Sequence, residues 1–235
     1  MEQMMHSAEA PAADTGGARR FVAEALGTAL LVAVVIGSGI MAAKLSGGNA
    51  AIALLANALA TGAGLVVLIL LFGPISGAHF NPVVSLVLML RGEMPARQVP
   101  AYIIAQVAGA VAGACIAHLM FDLPVIQAST TMRDGTGQWF AEGVATFGLI
   151  LVVIGCARQS PHAVPYAVGL YITAAYWFTA STSFANPAVT LGRTFTDTFA
   201  GIAPQSAPEF VVAQVLGGLL AYHVAGLLWP RGEAV

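Results

Sequence analysis

Charge is what this sequence has least of: 9% of its 235 residues are Asp, Glu, Lys or Arg, against 58% hydrophobic, with a mean hydropathy of +0.82. A chain this poor in charge cannot clothe a core in a water-compatible surface, which excludes an ordinary soluble domain and leaves the bilayer as solvent. Blocks of like charge are also missing, and a net charge of −2 offers no footprint for nucleic acid, so no such partner is expected. Cysteine is limited to Cys115 and Cys156, both in apolar stretches and neither with a Cys/His set at metal-ligand spacing. They read as small buried residues, and neither a metal nor another cofactor is implied. No nucleophile with a base and an orienting partner can be assembled, which argues against an enzyme. Residues 1–18 lack a basic stretch leading to a small-residue cleavage site, so they read as a disordered N-terminal tail and not as a signal peptide.

What is present is hydrophobic length. A helix needs about 20 apolar residues to cross about 30 Å of hydrocarbon, and six such stretches stand at about 21–43, 50–72, 100–120, 139–157, 164–180 and 209–229. They form one unit, residues 19–230, with repeat halves of about 19–120 and 138–230. An even number of spans puts both termini on one side. On that side lie Arg19, Arg20, Arg91, Arg97, Arg158 and Arg231, and on the other Lys44, Arg133 and Arg193. This bias predicts cytoplasmic termini for a multi-pass protein of the inner membrane.

Two apolar segments, Asn81 to Leu90 and Asn186 to about Phe195, are too short to span and follow small-residue approaches, which suits re-entrant half-helices. The halves echo one another. Ala23-Glu24 with Thr28 recurs as Ala141-Glu142 with Thr146, Ala105-Gln106-Val107 as Ala213-Gln214-Val215, and Asn81-Pro82 as Asn186-Pro187. Three spans per half is an odd number, so the second copy enters the membrane upside down and the short segments meet near the midplane.

Proline has no N–H and is preset for a first helical turn, so Asn81 and Asn186 are predicted N-caps with Pro82 and Pro187 at the first helical positions. The capping oxygen turns inward, leaving each amide NH₂ to donate beyond a terminus that carries about half a positive charge. Two such ends face to face would hold a passing hydroxyl and repel cations. Non-helical backbone at this depth is tolerated where it lines a wet cavity, so the two segments imply a pore.

Ser76-Gly77-Ala78-His79-Phe80-Asn81-Pro82-Val83 and Ser183-Phe184-Ala185-Asn186-Pro187-Ala188 resemble the two NPA boxes of the major intrinsic protein (aquaporin) family, over about residues 20–229. The resemblance implies an all-α membrane protein: an aquaporin-like right-handed bundle of six transmembrane helices with two half-helices in an inverted repeat. It further implies a homotetramer with four independent pores, and passive transport without a cofactor. Glu24 and Glu142 are costly in a membrane and need partners. They are either a proton relay or, as the repeat and the resemblance favour, acceptors for the unpaired N–H groups of the box loops. Gln106 and Gln214 read as interhelical glue. His79 is read as a hydrogen-bonded loop residue, with gating of the cytoplasmic mouth as the alternative. Gly109, Gly113 and Gly217 read as close-packing positions.

The filter departs from the family pattern. Position 189 is three residues past Asn186, on the same face of its half-helix; the family usually has arginine there, and this chain has Val189. Matched by family spacing, the other walls are Thr61, Ser183 and Ala174, or Tyr176 if the fifth span carries a gap. Arg193, four residues farther along that face, reads as a solvated vestibule charge, with a substitute filter cation as the alternative. The run Tyr176-Trp177-Phe178-Thr179 with Asn186-Pro187-Ala188-Val189-Thr190 resembles bacterial members of the family associated with arsenic resistance, which lack the filter arginine and pass trivalent arsenicals. The resulting expectation is a passive channel for small uncharged solutes: glycerol-like polyols, neutral metalloid acids such as arsenite, and water. The alternatives are a proton-coupled secondary transporter, a structural membrane protein with a closed pore, or an orthodox water channel with an atypical filter.

Overall fold

The structure, a computed structural model, describes residues 15–230. Among them are eight α-helices: α1 (Thr15–Leu45), α2 (Ala50–Ser76), α3 (Pro82–Leu90), α4 (Val99–Met120), α5 (Thr136–Gln159), α6 (Val164–Phe178), α7 (Pro187–Arg193) and α8 (Ala207–Leu228). Six correspond to the expected spans, and α3 and α7 to the two half-helices. The tail boundary moves, because Thr15 to Ala18 already belong to α1; residues 1–14 and Arg231 lie outside the described residues.

Five of the helices are long and apolar enough to cross a bilayer. The sixth, α6, has 15 residues, about 22 Å at 1.5 Å per residue. It stops at Phe178 because Thr179 turns extended, and the Thr179 hydroxyl donates to the Ala175 carbonyl at 2.6 Å. Helix α2 starts under Asn49, whose side chain accepts from the N–H groups of Ala51 (3.0 Å) and Ile52 (3.2 Å). It ends at Gly77, whose φ of 89° is open to glycine at little cost.

Contacts at the two ends of the bundle set its topology. Phe21 of α1 meets Tyr102 of α4 edge-on, and the Tyr102 hydroxyl donates to the Ser76 carbonyl at 2.7 Å. Leu88 of α3 packs with both this group and a second one containing Tyr222 and Trp229, so the start of α1 and the end of α8 share one end. At the opposite end Lys44 sits over the Phe121 ring, 5.5 Å from its centroid. There the chain after α4 pairs with the chain after α7, through Ser129 N–H to the Thr194 carbonyl (3.0 Å) and Ala203 N–H to the Thr131 carbonyl (2.7 Å).

Helix α1 packs on α4 and α2, α5 packs on α8 and α6, and α2 meets α6, so each half repeats the other with inverted direction. The α1–α4 and α5–α8 crossings are close because they lack side chains where they touch. A Cβ at Gly109 would strike the Ala25 carbonyl, and one at Gly217 the Gly143 carbonyl. Small residues at such crossings are how helices approach in lipid, where apolar surface alone does not favour one helix over another. The outward faces carry exposed Leu26, Leu30, Leu59, Leu70 and Leu216, as lipid contact requires.

Candidate functional site

The short helices α3 and α7 meet end to end, and their caps are tied across the gap. Asn81 is extended (φ −151°) and accepts from Val83 N–H at 2.9 Å; Asn186 is extended (φ −159°) and accepts from Ala188 N–H (2.9 Å) and Val189 N–H (3.2 Å). Each amide also donates to the carbonyl just before the other asparagine: Asn81 Nδ2 to Ala185 O at 2.8 Å, Asn186 Nδ2 to Phe80 O at 2.7 Å. The sequence-based picture left the whole NH₂ for solute. One hydrogen of each is spent on the opposite loop, and the other remains. Pro82, Val83, Pro187 and Ala188 do not line the cavity. Val83 packs toward Gly218 of α8 instead.

The loops before the boxes are held in an uncommon conformation. Gly77, Ala78 and Phe80 have φ of 89°, 50° and 49°, and at the matching places Thr182, Ser183 and Ala185 have 64°, 53° and 49°. A non-glycine residue in this region costs about 1 kcal/mol or more, so something must hold it. The two glutamates do. Glu24 accepts from Ser76 Oγ (2.6 Å) and from the N–H groups of His79 (3.0 Å) and Phe80 (2.8 Å), while Glu142 accepts from those of Phe184 and Ala185, both at 2.8 Å. Gln106 and Gln214 brace them, donating at 2.8 Å to Glu24 and 2.6 Å to Glu142. With their N–H groups turned to the glutamates, the loops present backbone to the lumen.

A cavity of about 100 Å³ runs past the helix ends, lined by Asn81 and Asn186, by the loop residues Ala78, His79, Ser183 and Phe184, and by apolar side chains including Leu65, Leu149 and Val168. Thr61, Tyr176, Ser183 and Val189 also line it. The Thr61 and Tyr176 hydroxyls share a hydrogen bond of 3.2 Å, and Ser183 Oγ is buried without a protein partner among the described residues. Ala174 is not there. Residues two apart on a helix point about 200° from each other, so α6 can turn only one of the pair inward; Tyr176 is buried against the cavity and Ala174 is exposed on the outer face.

Arg193 is the second departure from expectation. It is 2% exposed and lines the cavity beside Val189, its Nε donating to the Ala200 carbonyl.

Residues 12–165 match the family model for the major intrinsic protein. The chain is 61% identical over 203 residues to aquaglyceroporin AqpS of Rhizobium meliloti, covering 86% of this chain and 87% of that one. It belongs to the major intrinsic protein family. Aquaporin Z of Rhodopseudomonas palustris is 31% identical over 204 residues, covering 80% of this chain and 84% of the relative. The solved aquaglyceroporin of Plasmodium falciparum shares the fold, with a TM-score of 0.73 over 91% of this chain and 98% of that one, at 23% identity. Like others of the major intrinsic protein family, the chain is an integral membrane channel for small neutral solutes and not an enzyme.

One feature of this family member is absent from the sequence expectations, and a second, Arg193 turned toward the pore, stands there as the alternative. Ser85 and Thr190 complete the glutamate networks: Ser85 Oγ takes Gln106 Nε2 at 3.0 Å and pairs with His79 Nδ1 at 2.9 Å, and Thr190 Oγ1 takes Gln214 Nε2 at 2.9 Å. Their signal was in the sequence, a hydroxyl four residues after each asparagine, where each also bonds back to the asparagine carbonyl. The inward turn of Arg193 had only a four-residue spacing from position 189 to announce it.

Proposed function

We propose that the chain is a passive channel for glycerol-like polyols and neutral metalloid acids such as As(OH)₃, with Thr61, Tyr176, Ser183 and Val189 as its filter. The observation that carries this reading is the set of side chains lining the cavity: the Thr61 and Tyr176 hydroxyls, 3.2 Å apart, the unpartnered Ser183 hydroxyl, and the apolar Val189 side chain. A polyol can lay its carbons on Val189 and its hydroxyls on Thr61, Tyr176 and Ser183, replacing part of its hydration shell. As(OH)₃ is uncharged at pH 7 and presents hydroxyls in the same way. Tyr176 in place of Ala174 narrows the filter, while valine in place of arginine removes the bulkiest side chain that the family pattern puts there. The name of the Rhizobium relative, an aquaglyceroporin, points to the same solute class.

The assembly is a homotetramer in the inner membrane, one channel domain per chain, with both termini cytoplasmic. Support for the orientation comes from Arg19, Arg20, Arg91, Arg97 and Arg158 at the terminal end. Because Arg193 is buried in the cavity, it leaves the opposing count, which sharpens the bias.

Stopped-flow measurement in proteoliposomes tests the reading with glycerol, urea, arsenous acid and water. Glycerol and As(OH)₃ flux should scale linearly with the gradient and ignore an imposed proton gradient. Water flux without either solute, or glycerol uptake that requires a proton gradient, overturns it.

A further inference from the structure

Two guanidinium groups converge on one aromatic ring beside the filter. The Arg193 Cζ lies 3.3 Å from the centroid of the Phe184 ring, and the Arg133 Cζ lies 5.1 Å from the same centroid. Arg133 comes from the loop after α4 and is fixed by Nε donating to the Gly201 carbonyl at 2.8 Å. The next carbonyl back, that of Ala200, takes Arg193 Nε. Among the described residues neither guanidinium has a carboxylate within 4.0 Å; Arg91–Glu93 is the ion pair found there. A buried cation is normally paired. Arg193 instead has a π face, one carbonyl and the cavity, with its terminal N–H donors left unspent by the protein among the described residues and the unpartnered Ser183 hydroxyl lining the same cavity.

We infer that Arg193 is the pore's cation, displaced by one helical turn from position 189, and that this channel separates solute sizing from charge exclusion. Four residues of helix are about 6 Å of path. A solute first meets the Arg193 and Arg133 field, which repels cations and protons, and then an uncharged ring that tests its width. Phe184 keeps both guanidiniums desolvated on one face, which strengthens the field at the lumen. The inference rests on the cavity being the permeation path.

Proton and Na⁺ leak, with glycerol flux measured in parallel, tests it in proteoliposomes of the full chain. Arg193→Gln removes the charge. Val189→Asp keeps the Arg193 contacts and neutralises the field with a carboxylate four residues earlier, so it tests the same point if Arg193→Gln fails to fold. Both should raise cation leak about tenfold, the order expected when a unit charge beside a partly hydrated path is lost. Val189→Asp with unchanged leak and retained glycerol flux overturns the displaced cation, as does the same result for folded Arg193→Gln. Absence of glycerol flux in the parent protein overturns the permeation reading instead.

Discussion

Glu142→Gln puts the anchoring of the second box loop to a quantitative test. The carboxylate is fully buried and takes three donors: Phe184 N–H (2.8 Å) and Ala185 N–H (2.8 Å) from the loop, and Gln214 Nε2 (2.6 Å) from α8. Glutamine has the same shape but replaces one acceptor oxygen with a donor. With its NH₂ toward Phe184, that N–H is orphaned. Turned the other way, it faces Ala185 N–H, and flipping Gln214 rescues only the side-chain bond. One buried N–H is lost in either case, at about 1–3 kcal/mol, and the remaining bonds lose their charge at about 1 kcal/mol each. The sum is about 3–5 kcal/mol. At about 2–4 °C per kcal/mol for a chain of this size, the apparent Tm should fall by roughly 10 °C. Tryptophan fluorescence during heating in detergent measures it, alongside glycerol flux normalised to folded protein, which should change far less than the yield. A Tm within about 2 °C of the parent would refute the anchoring argument. Loss of a pH-dependent flux component alone would favour a coupled transporter.

Val189→Arg puts a second guanidinium one turn from Arg193, so glycerol and As(OH)₃ permeability should drop by about tenfold or more while water loses much less; equal loss of all three would show that position 189 does not size solutes. Tyr176→Phe removes the hydrogen bond to Thr61 and should change glycerol flux severalfold, whereas Ala174→Trp, on the outer face of α6, should leave it near the parent value. The reverse order of effects in stopped-flow traces would return Ala174 to the filter. Asn186→Asp sets a carboxylate against the Phe80 carbonyl that Asn186 Nδ2 now satisfies at 2.7 Å, so cation leak should rise and folding yield fall; unaltered ion conductance in planar bilayers with retained solute flux would remove the asparagines from charge exclusion.

The bilayer as solvent, the spans, the inverted repeat and the two Asn-Pro caps were all legible in the sequence, because each rests on a local rule. Hydrophobic length measures membrane thickness, proline sets φ, and an odd number of spans per half inverts the copy. The glutamates were legible for a similar reason: a carboxylate in an apolar span must find donors, and the nearest unpaired ones are in the loops. The filter was not local. Whether Ala174 or Tyr176 faces the lumen depends on how α6 is rotated and where it ends, and it ends at Phe178 because Thr179 turns extended and the chain then folds through a Thr179–Thr182 turn into the loop before Asn186. The direction of Arg193 depends on Phe184 and the Ala200 carbonyl, which arrive from the opposite flanks of α7. Side chains on the first turns of a helix are placed by its periodicity. A long guanidinium at its end goes wherever the tertiary structure offers a ring and a carbonyl, and here that place is the wall of the pore.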